Sequence, residues 1–130
     1  MYRKGARAER QLMEKLNRLG LGALRVAGSA GPDVVSSIGG RIVFFECKFT
    51  TKEKVYVPKS EVERELKVAE KMKATLYLAV KFNREPWHII EAGRLPEFST
   101  GKSYVISRAD LARLPKLTTI LDKNLKDYDK

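Results

Sequence analysis

Cysteine and histidine are almost absent from this sequence. Its 130 residues include one cysteine, Cys47, and one histidine, His88. A lone cysteine cannot close an internal disulfide, so the chain is compatible with a reducing cytoplasm, and Cys47 is expected to be a packed core thiol. His88 has no cysteine or histidine partner at metal-ligand spacing. We therefore expect His88 to be a surface residue of a strand, and neither a base nor a zinc ligand.

Long apolar runs are also missing. No stretch approaches the ~20 consecutive apolar residues that a membrane-spanning helix requires, and no signal-peptide pattern precedes the first predicted helix. The sequence therefore predicts a cytoplasmic protein with no membrane partner. Because neither a repeat nor a linker divides the chain, we expect a single domain over residues 1–130. Its core is predicted at about residues 1–91, with a C-terminal helical segment at about 107–125.

Negative charge is scarce relative to positive charge. Lysine and arginine number 26 against 16 aspartates and glutamates, for a formal net charge of +10. Such an excess on a small chain favours a polyanion as the first partner to consider. The apolar share of 43% is typical of a folded globular protein and argues against a disordered chain.

The stretch between Asp33 and Lys48 predicts a β-hairpin that gathers charged side chains. Gly39-Gly40 lies between two runs with strand character, and a two-residue glycine loop is a strong hairpin signal. With these glycines as the loop, Asp33 lies opposite Glu46. The two-residue period of a strand adds Lys48 to the same face.

Two carboxylates in this arrangement repel each other. At ~4 Å the repulsion is about 1 kcal/mol in water and about 4 kcal/mol at an effective dielectric constant of 20. A divalent cation between Asp33 and Glu46 would remove it, and hard oxygen ligands suit Mg²⁺ or Mn²⁺. Lys48 could hold a water or balance developing charge. Alternatively, the two acids face solvent at strand ends and Lys48 forms a weak surface ion pair.

A third acid, Glu9, favours the metal hypothesis. Residues 3–19 are predicted to form a helix, since their apolar positions follow one three- and four-residue spacing. The positions of this stripe are Leu12, Met13, Leu16 and Leu19. Glu9 falls in the middle of the stripe, where a carboxylate is costly unless it is paired or near a metal. An exposed Glu9 at the end of the stripe is the alternative.

The rest of the pattern predicts an α/β fold with one mixed central β-sheet flanked by helices. The remaining predicted elements are strands at residues 23–26, 55–57, 75–82 and 87–91, helices at 60–73, 107–114 and 116–125, and an irregular stretch at 93–103. Strand 75–82 should lie parallel to the Glu46 strand, with 87–91 antiparallel at the sheet edge. Helix 60–73 should open with a Ser60–Glu63 capping box. The inner stripe of this helix is predicted as Val62, Leu66, Ala69 and Met72 or Lys73.

The order helix-Glu9, Pro32-Asp33, then Glu46-x-Lys48 on a strand resembles the PD-(D/E)xK nuclease superfamily. Further segments resemble the archaeal Holliday junction resolvases within it. These segments are Tyr2-Arg3-Lys4-Gly5-Ala6, Glu9-Arg10, Arg25-Val26-Ala27-Gly28-Ser29 and Lys54-Val55-Tyr56-Val57. The resemblance runs from the N-terminus to about Phe82.

The resemblance implies a restriction-endonuclease-like core and a homodimeric, structure-specific endonuclease. Such an enzyme resolves four-way DNA junctions in recombination and repair by paired phosphodiester hydrolysis, with Mg²⁺, or Mn²⁺ in its place, as its only small cofactor. The implied catalytic residues are Glu9, Ser29, Asp33, Glu46 and Lys48. Glu9, Asp33 and Glu46 are the implied metal ligands.

Basic residues near this site are candidates for contact with DNA phosphates. They are Arg3, Lys4, Arg10, Arg25, Lys52 and Lys54. Two alternatives stay open from the sequence. One is an endonuclease of the same superfamily that acts on ordinary duplex DNA, and the other is a DNA-binding module without catalysis in which the acids only pair with basic residues.

Overall fold

The computed structural model describes residues 4–27, 31–119 and 121 of the chain, and the side chains from Ala6 onward within these ranges. Its helices and strands, in chain order, are α1 (Lys4–Arg18), β1 (Ala23–Arg25), β2 (Val34–Ile38), β3 (Arg41–Thr50), β4 (Lys54–Pro58), α2 (Lys59–Met72), β5 (Thr75–Phe82), β6 (His88–Glu91), β7 (Ser99–Thr100) and β8 (Ser103–Ser107). Two 3₁₀ helices cover Ala92–Phe98 and Arg108–Arg113. Within the described ranges, no helix has the length and apolarity that crossing a membrane would require.

The central sheet has five strands in the order β1-β2-β3-β5-β6. It is mixed, because β3 and β5 run parallel while the other neighbours are antiparallel. The predicted fold class is therefore confirmed. A second sheet, with the order β4-β8-β7, was not predicted. Residues 93–103 are not irregular throughout, since they include a 3₁₀ turn, β7 and the first residue of β8.

The predicted hairpin is present in the predicted register. Ile38 pairs with Arg41, and Val35 pairs with Phe44. Gly39 and Gly40 have φ values of 61° and 78°. Positive φ at both loop residues is what a type I′ turn demands, and this turn matches the right-handed twist of the two strands.

The two faces of β3 pack against different helices. Val43 and Phe45 face α1, and Cys47 packs on the same side as a half-buried thiol, in agreement with the prediction. Phe44 belongs to the other core cluster, which includes the inner residues of α2. The strand period therefore directs Glu46 to the α2 side of the sheet.

Three predictions about the helices were wrong. Leu19 lies beyond the end of α1 and is 44% exposed. Helix α2 begins at Lys59, whose amide donates to the carbonyl of Lys102, so Pro58 is the N-cap and no Ser60 capping box forms. Met72 is 48% exposed and Lys73 is an exposed C-cap residue, so neither belongs to the inner stripe of α2.

The prediction of a surface position for His88 was also wrong. His88 is 4% exposed, and its ring Nδ1 donates to the carbonyl oxygen of Pro86 at 2.8 Å. The cause is a tertiary contact, because the C-terminal segment covers the outer side of β6. The amide of Ile89 donates to the Pro115 carbonyl, and that of Leu117 donates to the Trp87 carbonyl.

The C-terminal region agrees with the prediction in part, since Ser107 belongs to β8 and the following turn is at Arg108–Arg113. A capping box joins Ser107 and Asp110 at the start of the turn predicted as a helix, which is a 3₁₀ helix in the structure. Residues 117–119 and 121 are helical, and Leu117 and Leu121 are buried. Lys116, predicted as the first residue of that helix, forms a β-bridge with His88 instead, and the rest of the helix predicted at 116–125 lies outside the described residues.

Candidate functional site

Asp33 lies where β2 begins, directly beside β3. Its amide donates to the carbonyl of Phe45 at 3.0 Å, and its carboxylate Oδ2 accepts a hydrogen bond from the amide of Cys47 at 2.8 Å. The side chain is therefore held over the backbone of β3, next to Glu46. This places the two hairpin acids together, as the sequence predicted.

Glu46 occupies the middle strand of the sheet and is only 5% exposed. Burial raises the pKa of its carboxyl group, and the neighbouring carboxyls of Asp33 and Glu65 raise the pKa further. A buried carboxylate surrounded by other acids is unfavourable without a counter-charge. The sequence therefore supplies an oxygen ligand at a position that favours either a retained proton or a bound cation.

Glu9 is half-buried on α1 and approaches the hairpin from the other helix. Burial raises the pKa of Glu9, as does the nearby carboxyl of Asp33, while Arg25 and Lys48 lower it. On the same helix, Ala8 and Leu12 are buried in the core cluster that includes Val43 and Phe45 of β3. The structure thus brings Glu9 to Asp33, as its place in the apolar stripe of α1 indicated.

Lys48 lies on the same face of β3 as Glu46. Its Nζ lies 3.4 Å from Oε1 of Glu61, and both side chains are partly buried. The sequence predicted the face on which Lys48 lies but not this partner. The ion pair orients the ammonium group between the hairpin and helix α2.

Sequence reasoning missed two acids, Glu61 and Glu65, which lie one turn apart on α2. Ligand oxygens of Glu46, Glu61 and Glu65 all lie within 4.8 Å of one another, whereas Glu9 and Asp33 are outside this group. Glu65 is fully buried. It lies three residues after Val62 and four before Ala69, both of which are buried, so its place on an apolar line could have identified it, as for Glu9.

Four of the predicted DNA contacts are described as exposed basic side chains. They are Arg10, Arg25, Lys52 and Lys54. Arg25 ends β1 opposite Val34, the residue after Asp33. It therefore lies near the acids and lowers the pKa of Glu9. Arg3 and Ser29 lie outside the described residues, as does the side chain of Lys4.

A cavity of about 500 Å³ adjoins this surface at the ends of β3 and β5. It is lined by Arg7, Ala8, Gln11, Phe49, Thr51, Lys81 and Asn83. Two of these side chains are cationic, and none is acidic. The cavity therefore continues the basic surface from α1 toward the far end of β5.

The donor set of the site suits a hard divalent cation. Every acidic group around Glu46 offers carboxylate oxygens, which are the ligands that Mg²⁺ and Mn²⁺ prefer. The half-buried Cys47 thiol lies on the opposite face of β3, and burial raises its pKa well above the usual value, so it is unsuited to act as a thiolate ligand. The arrangement therefore fits cation-assisted chemistry on a phosphate ester.

Comparison with known proteins supports the same conclusion. A family model of archaeal Holliday junction resolvases (Hjc) matches residues 1–126. A crossover junction endodeoxyribonuclease Hjc from Methanocaldococcus jannaschii is 37% identical over 105 residues, which cover 81% of this chain and 77% of the relative. Its counterpart from Archaeoglobus fulgidus is 32% identical over 114 residues, covering 84% of this chain and 82% of the relative.

A solved structure leads to the same family. The structure of Archaeoglobus fulgidus Hjc, described as a Holliday junction resolvase from an archaeal hyperthermophile, matches with a TM-score of 0.82 at 28% sequence identity. The match covers 92% of this chain and 97% of that one. Fold, site and sequence therefore agree, and this chain belongs to the archaeal Holliday junction resolvase family.

Proposed function

We propose that this protein resolves four-way DNA junctions by divalent-cation-dependent hydrolysis of phosphodiester bonds, in recombination and repair within the cytoplasm. The observation that carries the proposal is the convergence of Glu9, Asp33, Glu46 and Lys48 beside the hairpin, in a chain of this family. Mg²⁺ is the proposed cation and Mn²⁺ its substitute, because all the ligands are carboxylate oxygens.

Each residue of the site has a proposed role. Asp33 and Glu46 would hold the cation, and Glu9 would complete its surroundings directly or through a water. A bound cation would supply Lewis-acid stabilisation of charge on the phosphate and lower the pKa of a water. Lys48 would orient that water or stabilise negative charge in the transition state. Ser29, implied by the family resemblance, would contribute from the loop that precedes Asp33.

The basic surface would bind the DNA backbone. Exposed Arg10 follows Glu9 on α1, and exposed Arg25 ends β1. Lys52 lies in the loop after β3, and Lys54 begins β4. Arg3 and Lys4 would add contacts from the N-terminus. The basic side chains on this surface would position junction phosphates over the carboxylates. Such contacts give affinity without reading the base sequence.

A direct test compares acid variants on labelled four-way junction and matched duplex, with and without Mg²⁺. Asp33→Asn and Glu46→Gln should each lower junction cutting by at least about 10³-fold, since metal assistance is worth several kcal/mol and about 1.4 kcal/mol is tenfold. Junction affinity should hold or improve, because negative charge near phosphate is removed.

The control for these variants is Glu63→Gln, which changes an exposed acid on α2 and should cut normally. A near wild-type rate for Asp33→Asn or Glu46→Gln would show that the metal assignment is wrong. Equal cutting of duplex and junction would favour the duplex endonuclease. Binding without any cutting would favour the inert DNA-binding module.

The proposed enzyme is a homodimer, because resolution requires cuts in two opposed strands and one chain provides one hairpin site. A two-fold dimer repeats the site about the symmetry axis of the junction. The C-terminal segment covers the outer side of β6, so this edge strand is a poor candidate for the interface. Val68 and Met72, exposed apolar residues one turn apart on α2, are better candidates.

Light scattering at micromolar protein checks the assembly. We expect twice the mass of the 14.7 kDa chain, both alone and with junction bound. On a supercoiled cruciform plasmid, paired cuts within one complex should give linear product. A monomer that persists on the junction, or nicked circles as the main product, would contradict the dimer.

A further inference from the structure

Glu65 is the most unfavourable polar side chain in the described part of the chain. It is fully buried, and neither of its carboxylate oxygens has a hydrogen-bond partner there. Ionised Glu46 and Glu65 are both acceptors, so they can share a hydrogen bond only if one of them keeps a proton. An isolated buried carboxylate is costly unless a counter-charge accompanies it. Glu65 is aimed at two further carboxylates, an arrangement that suits a cation ligand.

The spacing of these oxygens suits a single ion. Ligand atoms of Glu46, Glu61 and Glu65 all lie within 4.8 Å of one another. Metal–oxygen distances of about 2.0–2.6 Å allow ligands on opposite sides of one ion to be about 4–5 Å apart. Three carboxylates from β3 and α2 can therefore surround one hard cation with little movement.

The charge of this cluster also matches a divalent ion. Glu61 and Glu65 lie at positions i and i+4 of α2, so both point toward β3 from the same face of the helix. Lys48 forms an ion pair with Glu61 at 3.4 Å. Three ionised carboxylates and this one ammonium leave a net charge of −2, and the further charges that act on Glu65, those of Asp33 and Arg64, are of opposite sign. A divalent cation neutralises the remaining −2.

We propose that Glu46, Glu61 and Glu65 form a second divalent-cation site, on the α2 side of the central sheet. It shares Glu46 with the cation position proposed between Asp33 and Glu46, and it rests on the proposed function only through that shared ligand. An ion there binds α2 to β3 through oxygens that otherwise oppose the packing. Cation binding at this site therefore stabilises the fold as well as adding positive charge beside the cutting site.

The test counts bound ions in the absence of DNA. The EDTA-treated full-length chain is titrated with Mn²⁺, and bound ions are counted by electron paramagnetic resonance. The wild-type chain should bind two Mn²⁺, while Glu65→Gln and Glu65→Leu should each bind one. The matched control Glu63→Gln, an exposed acid on the same helix, should bind two. Thermal unfolding should show a smaller Mn²⁺-induced rise in Tm for both Glu65 variants.

Two results would overturn the proposal. One is a Glu65→Leu variant that binds as many Mn²⁺ ions as the wild type with the same affinity. The other is a wild-type chain that binds a single ion, which both Asp33→Asn and Glu65→Leu abolish. Circular dichroism and the fluorescence of buried Trp87, both measured in EDTA, establish that each variant is folded before ions are counted.

The same titration separates this proposal from the proposed catalytic site. If Asp33→Asn and Glu65→Leu each lose one ion and keep the other, both sites hold. If Asp33→Asn keeps both ions while Glu65→Leu loses one, the α2 site stands and the catalytic metal assignment fails. If Asp33→Asn loses an ion and Glu65→Leu loses none, the catalytic site stands and the α2 site fails.

Discussion

The stability of the cation-free protein should fall as pH rises, because its buried acids retain protons. Burial raises the pKa of both Glu46 and Glu65 above the ordinary value of 4.5. A hydrogen bond with Glu46 lowers the pKa of Glu65, as does the charge of Arg64, while the charges of Glu61 and Asp33 raise it. Above pH 4.5 the unfolded chain releases protons that the folded chain keeps. The free energy of unfolding is therefore greatest below that pH and decreases until the raised folded-state pKa is passed.

The magnitude follows from proton linkage. For each carboxyl that stays protonated only in the folded state, the free energy of unfolding falls by about 1.4 kcal/mol for every unit by which the pH rises. Between about pH 5.5 and 7.5, one such group removes about 2.7 kcal/mol, a large part of the roughly 5–15 kcal/mol of a typical domain. Glu65→Gln cannot ionise, and its amide can donate permanently to Glu46. In this variant, the pH dependence of the free energy of unfolding should therefore be smaller by the contribution of about one carboxyl group.

Urea unfolding in EDTA, followed by fluorescence, measures this difference. Trp87 is the one tryptophan of the chain and is buried, so its emission reports unfolding. Wild type, Glu65→Gln and the exposed control Glu63→Gln are compared at a fixed protein concentration, because dimerisation would make stability depend on concentration. Asp110, whose pKa is lowered, adds a constant over this range, since its contribution is lost only as pH falls. If the free energy of unfolding fell with pH at the same slope in wild type and Glu65→Gln, Glu65 would not contribute to the pH dependence.

Two further predictions concern the basic residues. Arg10→Ala and Arg25→Ala should each reduce the slope of log K against log salt by about 0.9 for junction binding, equally for every junction sequence. A variant that shifted only the preferred cutting position would contradict a phosphate-contact role. Lys48→Ala should lose cutting at unchanged junction affinity, even with excess Mg²⁺, whereas Lys67→Ala, an exposed lysine on α2, should cut normally. Recovery of Lys48→Ala at high Mg²⁺ would show that the lysine only assists metal binding.

Local chemistry made part of this fold predictable. The paired glycines specify the hairpin register by themselves, because positive φ at both loop positions leaves one pairing of the strands. That register alone is enough to place Asp33 beside Glu46. The parallel pairing of β3 with β5 followed from the crossover rule for a strand, helix, strand succession.

What escaped prediction depends on contacts between distant parts of the chain. The second sheet joins Val57 to Tyr104, and neither β7 nor β8 has a hydrophobic alternation strong enough to reveal that pairing. From the sequence alone, His88 is expected at an exposed sheet edge. In the structure, the backbone at Lys116 pairs with His88 and covers this edge. Tertiary cover of this kind overrides local pattern, because burial is decided by the partner segment.

Helix α2 shows why the sequence predicted only some of the acids of the site and missed Glu61 and Glu65. Two apolar lines overlap on this helix, and the prediction followed the one through Leu66 and Met72 or Lys73. The structure follows the other line, with Glu65 buried between Val62 and Ala69. A sequence that specifies one fold keeps ionisable residues off the buried faces of its helices, except where function requires them. Each helix breaks this rule once, with Glu9 on α1 and Glu65 on α2. Because the two helices pack on opposite faces of one sheet, both exceptions approach the acids of the same hairpin.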